Sequence, residues 1–147
     1  MTSALFTQIQ NVFAYVKSQV ENLSSIKSVN VGEQIRIGQM PYGIINLDPS
    51  PCRDVAQNVI QVELTFTIVI VIREAAPENW FTDIVSPMCD AVAAVLKDRS
   101  LNQTVKNVSL VNFAPMEIKF NNRLYYGGAV RFTALMHYLP TGQALPG

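Results

Sequence analysis

The chain has 147 residues, a length typical of a single domain that can bury a hydrophobic core. Its 11 basic and 11 acidic residues give a formal net charge of zero, which disfavours DNA binding and attraction to an anionic membrane. Only 15% of the residues are charged and 49% are apolar, an imbalance that fits either large contacts between subunits or a well-filled core.

The first predicted element is an amphipathic helix from Leu5 to Leu23. Its apolar residues recur at steps of three and four, the spacing of one buried helical stripe, and Ser3 is the expected N-cap. No basic leader followed by an unbroken apolar run is visible at the amino terminus, so we expect no signal peptide. The segment from Ile26 to Ile37 predicts one or two minor strands or a hairpin.

A short strand is predicted at Tyr42–Leu47, and the segment DPSPCRDVAQN at positions 48–58 follows it. We predict an exposed loop there, because its two prolines have no N–H to donate to a sheet. Cys52 lies in this loop and Cys89 lies in a helix, without the spacing of metal ligands. Both are predicted to be free thiols of a protein from a reducing compartment.

A long strand is predicted in the stretch QVELTFTIVIVIRE, which begins at Gln61. Its uncharged core is shorter than the roughly 20 residues of a membrane-spanning helix, and its β-branched and aromatic residues favour a strand. The even-numbered positions are all apolar, which predicts one face buried in the core. The odd-numbered positions begin polar and become apolar at Val69 and Val71. Because such a strand extends roughly 40 Å, we expect a neighbouring subunit to cover this end.

A second helix is predicted from Trp80 to about Leu96, and Pro87 interrupts it. Either the helix kinks at the proline, or Ser86 caps a new helix that has Pro87 at its first position.

The carboxy-terminal part predicts three further strands. Two of them, at 104–113 and 116–120, are separated by a turn at Ala114 and Pro115, and the third runs from Leu124 to Tyr138. Asn121 and Asn122 form the expected hairpin turn, and the glycines at 127 and 128 are predicted to mark a bulge or bend. The whole order predicts one α+β domain, with two helices packed on one face of a mostly antiparallel sheet.

Few residues offer catalytic chemistry. His137 is the only histidine, and its position on the polar face of the last strand favours a solvated or interface residue over a general base. The chain has no Cys/His cluster for a transition metal and no glycine-rich motif for phosphate. Tyr126 and Tyr138 fall on the apolar face, where core packing is favoured over base stacking. We therefore predict no enzyme, no cofactor and no metal site.

Five segments form a pattern together: the amino-terminal helix, PYGIINL with its following loop, the long strand ending in Arg-Glu, VAAVLKDRSLNQTV, and RLYYGGAVRFTALMHYLP. In this order they resemble the tail-terminator proteins of long-tailed bacteriophages. The most specific part is AVLKDRSLNQTVKNV, because that family often has a "tLnGtV"-like turn after its helix. Leu101, Asn102, Thr104 and Val105 match this turn, whereas Gln103 stands where the family more usually has glycine.

The resemblance implies a virion protein of the tail or neck, assembled in the host cytoplasm. It implies a ring, hexameric in this family, that caps the tail tube, stops its polymerisation and offers a surface for joining the head. The implied partners are other copies of the chain, the tail tube protein, a head–tail connector or neck protein, and a sheath protein if the tail contracts. DNA would pass through the lumen without specific binding, and no membrane is involved.

Two other functions remain open at this point. One is another tail or neck component of the same fold, such as a tail-completion or head–tail connector protein. The other is a small-ligand-binding α+β domain.

The candidate contact residues for the tube or a neighbouring subunit come from the proline loop and from the apolar end of the long strand. They are Asp48, Pro49, Ser50, Pro51, Cys52, Arg53, Asp54, Val69 and Val71.

Overall fold

The structure is a computed structural model that describes residues 4–32, 40–72, 81–120 and 122–140. The predictions for Ser3 and Trp80 lie outside these ranges. Within them the chain forms two α-helices, a short π-helical turn and one six-stranded sheet, which confirms the α+β class. The elements are α1 Ala4–Glu21, β1 Ser28–Val31, β2 Tyr42–Leu47, β3 Cys52–Ala56, β4 Val59–Ile72, the π-helical turn Phe81–Val85, α2 Ser86–Leu96, β5 Asn107–Phe120 and β6 Arg123–Tyr138.

The strands lie in the order β1-β2-β4-β6-β5, and β3 pairs with the amino-terminal end of β4. Four of the described pairings are antiparallel, whereas β1 and β2 are parallel. The sheet is therefore antiparallel except at the edge where β1 adds to it.

The centre of the sheet is the pairing of β4 with β6, which runs without a register shift from Ile60 opposite Tyr138 to Ile72 opposite Tyr126. The even-numbered side chains of β4 from Val62 to Ile72 are buried, as predicted. Phe66 stacks on Phe132 at 5.4 Å between ring centroids, and the Phe13 ring of α1 meets Phe66 edge-on at 5.7 Å. These contacts join the first helix to the middle of the sheet.

The two adjacent glycines of β6 do not form the bulge that was one of the two predicted alternatives. Both β4 and β5 keep their register with β6 through Gly127 and Gly128. A Cβ atom on Gly127 would lie 1.9 Å from the carbonyl oxygen of Ile70, and one on Gly128 would lie 2.0 Å from Met88 Sδ of α2. The glycines are needed because the neighbouring strand and α2 approach β6 closely there.

The second helix begins without a side-chain cap. The π-helical turn runs directly into α2, Val85 has helical dihedral angles (φ −70°, ψ −39°), and no side chain caps the junction. The expectation that Ser86 caps a new helix is therefore wrong. Pro87 lies in the first turn of α2, a position that proline favours because its fixed φ suits a helix start.

β5 is one strand rather than two. It passes through Ala114 and Pro115 with both residues paired to β6, so the predicted turn there is wrong. A proline is tolerated because β5 is an outer strand of the sheet, where an N–H facing outward has no ladder partner to lose. The register of β5 shifts between Leu110 and Asn112 instead.

Replacing Gly128 with alanine should lower the free energy of unfolding by about 1–3 kcal/mol, because the new methyl group overlaps Met88 in a packed core. Gly43→Ala is the control, since its Cβ would have its nearest contact at 3.4 Å, with Val29 Cγ2. That variant should be unchanged or stabilised by up to about 1 kcal/mol. Urea unfolding measures both, and equal effects of the two substitutions would contradict the close approach of α2.

Candidate functional site

The segment Asp48–Pro51 connects β2 to β3 along a single edge of β4. Leu47 at the end of β2 is paired with Phe66, and Cys52 at the start of β3 is paired with Val62. Four residues of the connection thus face three residues of β4. We call Asp48–Pro51 the crossing.

Backbone hydrogen bonds hold both ends of the crossing. The Asp48 N–H donates to the Thr65 carbonyl at 2.8 Å, and the Glu63 N–H donates to the Pro51 carbonyl at 2.8 Å. In the middle, the Thr65 N–H donates to Ser50 Oγ at 3.0 Å, and the same hydroxyl donates to the Asp48 carbonyl at 3.0 Å. A side chain therefore replaces one backbone rung where the extra residue interrupts the ladder.

The Asp48 carboxylate fixes the crossing to the sheet surface. Its Oδ2 atom accepts a hydrogen bond from the Thr67 hydroxyl and lies 3.4 Å from Arg131 Nε. Thr67 is 8% exposed, the side chain of Asp48 is 21% exposed and that of Arg131 is 47% exposed. Asp48, predicted as a contact residue, is thus held by its own chain.

The predicted loop at 48–58 is wrong for its second half, because Cys52–Ala56 forms β3. Both prolines precede this strand, so they remove no donor from it. Asn58 has a positive φ of 63° and closes the hairpin from β3 to β4. Asparagine adopts this conformation more readily than most residues, so Gln57-Asn58 between two apolar pairs was a hairpin signal in the sequence.

All five residues of β3 are exposed, including Val55 at 43%. Among the described residues, β3 pairs only with β4, so its other edge faces outward. Cys52, Arg53 and Asp54 lie on this strand and remain candidate contact residues.

The two candidate valines of β4 differ in exposure. Val69 is half-buried, whereas Val71 has no exposed surface within its own chain. Only Val69 therefore has surface to offer a second copy.

The far part of the β5–β6 hairpin is exposed on both faces. We call residues 111–120 and 122–125 the arm. Every residue from 111 to 119 is exposed except Ile118, which is half-buried. Phe113 is paired with Val130 and Met116 with Gly127, so these two side chains lie on opposite faces of the sheet.

Exposed apolar side chains are concentrated in the arm and beside the crossing. Among the described residues, eight large apolar side chains are exposed, and four of them are in the arm: Val111, Phe113, Met116 and Leu124. Leu47 and Val55, on either side of the crossing, are two more. Scattered exposed apolar residues are ordinary, but this concentration is typical of interaction surfaces. The sequence pattern did not reveal the arm, because strand alternation does not show where the helices stop covering a sheet.

The turn that carried the family resemblance has an unusual backbone. Leu101, Asn102 and Gln103 all have positive φ angles, of 47°, 60° and 64°, and Leu101 is fully buried. The Asp98 carboxylate accepts hydrogen bonds from Ser100 Oγ at 2.7 Å and from the Ser100 and Asn102 N–H groups at 2.9 Å. These hydrogen bonds, that of the Ser100 side chain first, hold the pKa of Asp98 below its ordinary value.

The described residues contain no cluster of metal-ligating side chains. No three His, Cys, Asp or Glu side chains in these ranges lie close enough to share a metal ion. Cys52 and Cys89 are exposed free thiols, and the carbonyl oxygen of His137 accepts a hydrogen bond from Gln8 Nε2 at 3.2 Å. No helix in the described ranges is long and apolar enough to cross a membrane. Protein-family models give no match to this chain, and curated proteins give none either.

Gln103→Gly should raise the free energy of unfolding by about 0.5–1 kcal/mol, because glycine adopts a φ of 64° without the steric penalty of a Cβ atom. Asn102→Gly is the matched control: asparagine already tolerates this conformation, so its gain should be smaller. Guanidinium unfolding compares the two. A loss of stability in Gln103→Gly would contradict the left-handed conformation of this turn.

Proposed function

We propose that this chain is a structural assembly protein whose copies form a closed ring, of six subunits, that caps a phage tail tube in the virion. It stops tube polymerisation and offers the surface on which the head is joined, and it catalyses no reaction. The observation that carries the proposal is the pair of exposed outer strands, β3 on one side of the sheet and β5 with its arm on the other. The resemblance of the sequence to tail terminators supports the number of subunits, the capping of the tube and the joining of the head.

Two different outer edges on one subunit favour a ring. A contact between β3 of one copy and β5 of the next is head-to-tail, and repeated head-to-tail contacts close into a ring when the rotation per subunit allows it. Closure pairs the free edges of β3 and β5, which removes the aggregation hazard of these two exposed strands. Phe113 and Met116 in the arm are of the residue types enriched at the cores of protein interfaces.

The position of the helices supports the same arrangement. Phe13 of α1 contacts Phe66 of β4, and Met88 of α2 lies against Gly128 of β6. Even-numbered residues of β4 pair with even-numbered residues of β6, so Phe66 and Gly128 lie on the same face of the sheet. We infer that both helices pack on this face and stop short of the arm. The arm and the partly exposed Val69 are then surfaces that a neighbouring subunit covers.

The charge of the chain suits a channel for DNA. A formal net charge of zero is compatible with a ring that does not hold the phosphate backbone tightly and lets DNA pass through its lumen. The tail tube protein and a neck or connector protein are the proposed partners at the two ends of the ring, with a sheath protein as a further partner in a contractile tail.

Phe113→Glu should raise the protein concentration needed for ring assembly at least tenfold, because it places a charge in the apolar contact. Phe6→Glu on α1 is the matched control, since Phe6 is 51% exposed and Phe113 is 48% exposed. Light scattering after size exclusion measures assembly, and circular dichroism verifies folding. Equal assembly of both variants would argue against the arm as a subunit contact.

Electron microscopy of tails assembled without this protein tests the capping function. A missing terminator should leave tubes longer than normal, because nothing stops tube polymerisation. Tails of normal length that fail to join heads would instead identify another neck component of the same fold.

A further inference from the structure

The crossing contains more hydrogen bonds than a simple connection requires. Asp48 and Ser50 engage three different parts of the sheet: the β4 backbone at Thr65, the Thr67 hydroxyl, and Arg131 of β6. The extra residue of the crossing would otherwise leave the Thr65 N–H without an acceptor in the ladder. These contacts keep β3 in line with β2 along the same edge of β4.

Few interactions stabilise β3 itself. Its five residues are all exposed, and its pairing with β4 contains a register shift between Asp54 and Ala56. A short exposed hairpin is marginally stable in water. The order of β3 therefore depends strongly on how its first residue is anchored.

We propose that Asp48 and Ser50 are positioning residues: together with Thr67 and Arg131 they hold β3 as a preformed outer strand for pairing with a second copy of this chain. Asp48 and Ser50 act through β3, and the residues that touch the neighbour are those of β3 itself. The pairing of β3 with a second copy rests on the proposed ring. Preforming the strand lowers the ordering entropy that assembly would otherwise have to overcome.

The sequence predicted that Asp48, Ser50 and the first residues of β3 all contact the tube or a neighbouring subunit. The hydrogen bonds now give Asp48 and Ser50 a different role from that of Cys52, Arg53 and Asp54. A side chain already engaged by its own sheet has less capacity to bind a partner. Its removal should act first on the backbone order of β3 in the single subunit.

Hydrogen exchange of the dilute, unassembled chain tests the positioning role. Ser50→Ala should speed exchange of the β3 amides by about tenfold, the effect of losing roughly one hydrogen bond, while the β2 amides change much less. Thr67→Val, which removes the donor to Asp48, should act in the same direction, and Thr67→Ser should restore slow exchange. Thr133→Val is the control, because it removes a hydroxyl contact to Thr65 Oγ1 on the same face without touching Asp48.

Ring assembly of the same variants tests whether the preformed β3 promotes pairing with a second copy. Ser50→Ala and Thr67→Val should assemble at higher concentrations than Thr133→Val, with Thr67→Ser close to wild type. Equal acceleration of β2 and β3, or none at β3, would overturn the positioning role. Faster β3 exchange with unchanged assembly would overturn the link to the ring. If wild type forms no ring, the proposed function fails, and the exchange comparison still decides the role of the crossing.

Discussion

The antiparallel pairing of β4 with β6 determines where every other element of the sheet lies. It extends from Ile60 to Ile72 of β4 without a shift of register, and it brings Phe66 onto Phe132 at the centre of the core. β2 and β3 share the remaining edge of β4, and β5 takes the remaining edge of β6. Gly127 and Gly128 allow this pairing to coexist with the close approach of Met88 from α2.

Besides β1, the outer strands in the described ranges are β3 and β5, and these two are unequal. β3 is short and is held through the crossing by Asp48 and Ser50, whereas β5 is long and carries an arm with apolar side chains on both faces. A chain with two different exposed edges can pair with copies of itself in a head-to-tail manner, as the proposed ring requires. The low content of charged residues in the chain agrees with such contacts.

Periodic spacing and turn residues in the sequence predicted the elements whose conformation depends on nearby residues. The helical spacing located α1, the apolar alternation identified the buried face of β4, and the asparagines indicated the hairpin turn, where Asn122 has a φ of 62°. The mistakes concern residues whose roles depend on distant neighbours. Pro115 suggested a turn, but β5 is an outer strand that tolerates it; the glycines suggested a bulge, but they make room for Ile70 and Met88. Pro49 and Pro51 suggested a loop, so the sequence did not predict β3, which begins directly after them.

In the proposed ring, β3 of one copy pairs with β5 of the next. Native mass spectrometry of the purified chain over a range of concentrations tests it most directly. We expect one closed species of six copies, with few open intermediates, because a ring gains its last contact without a further loss of translational freedom. A chain that stays monomeric, or that forms only a two-fold dimer, at all concentrations would contradict it.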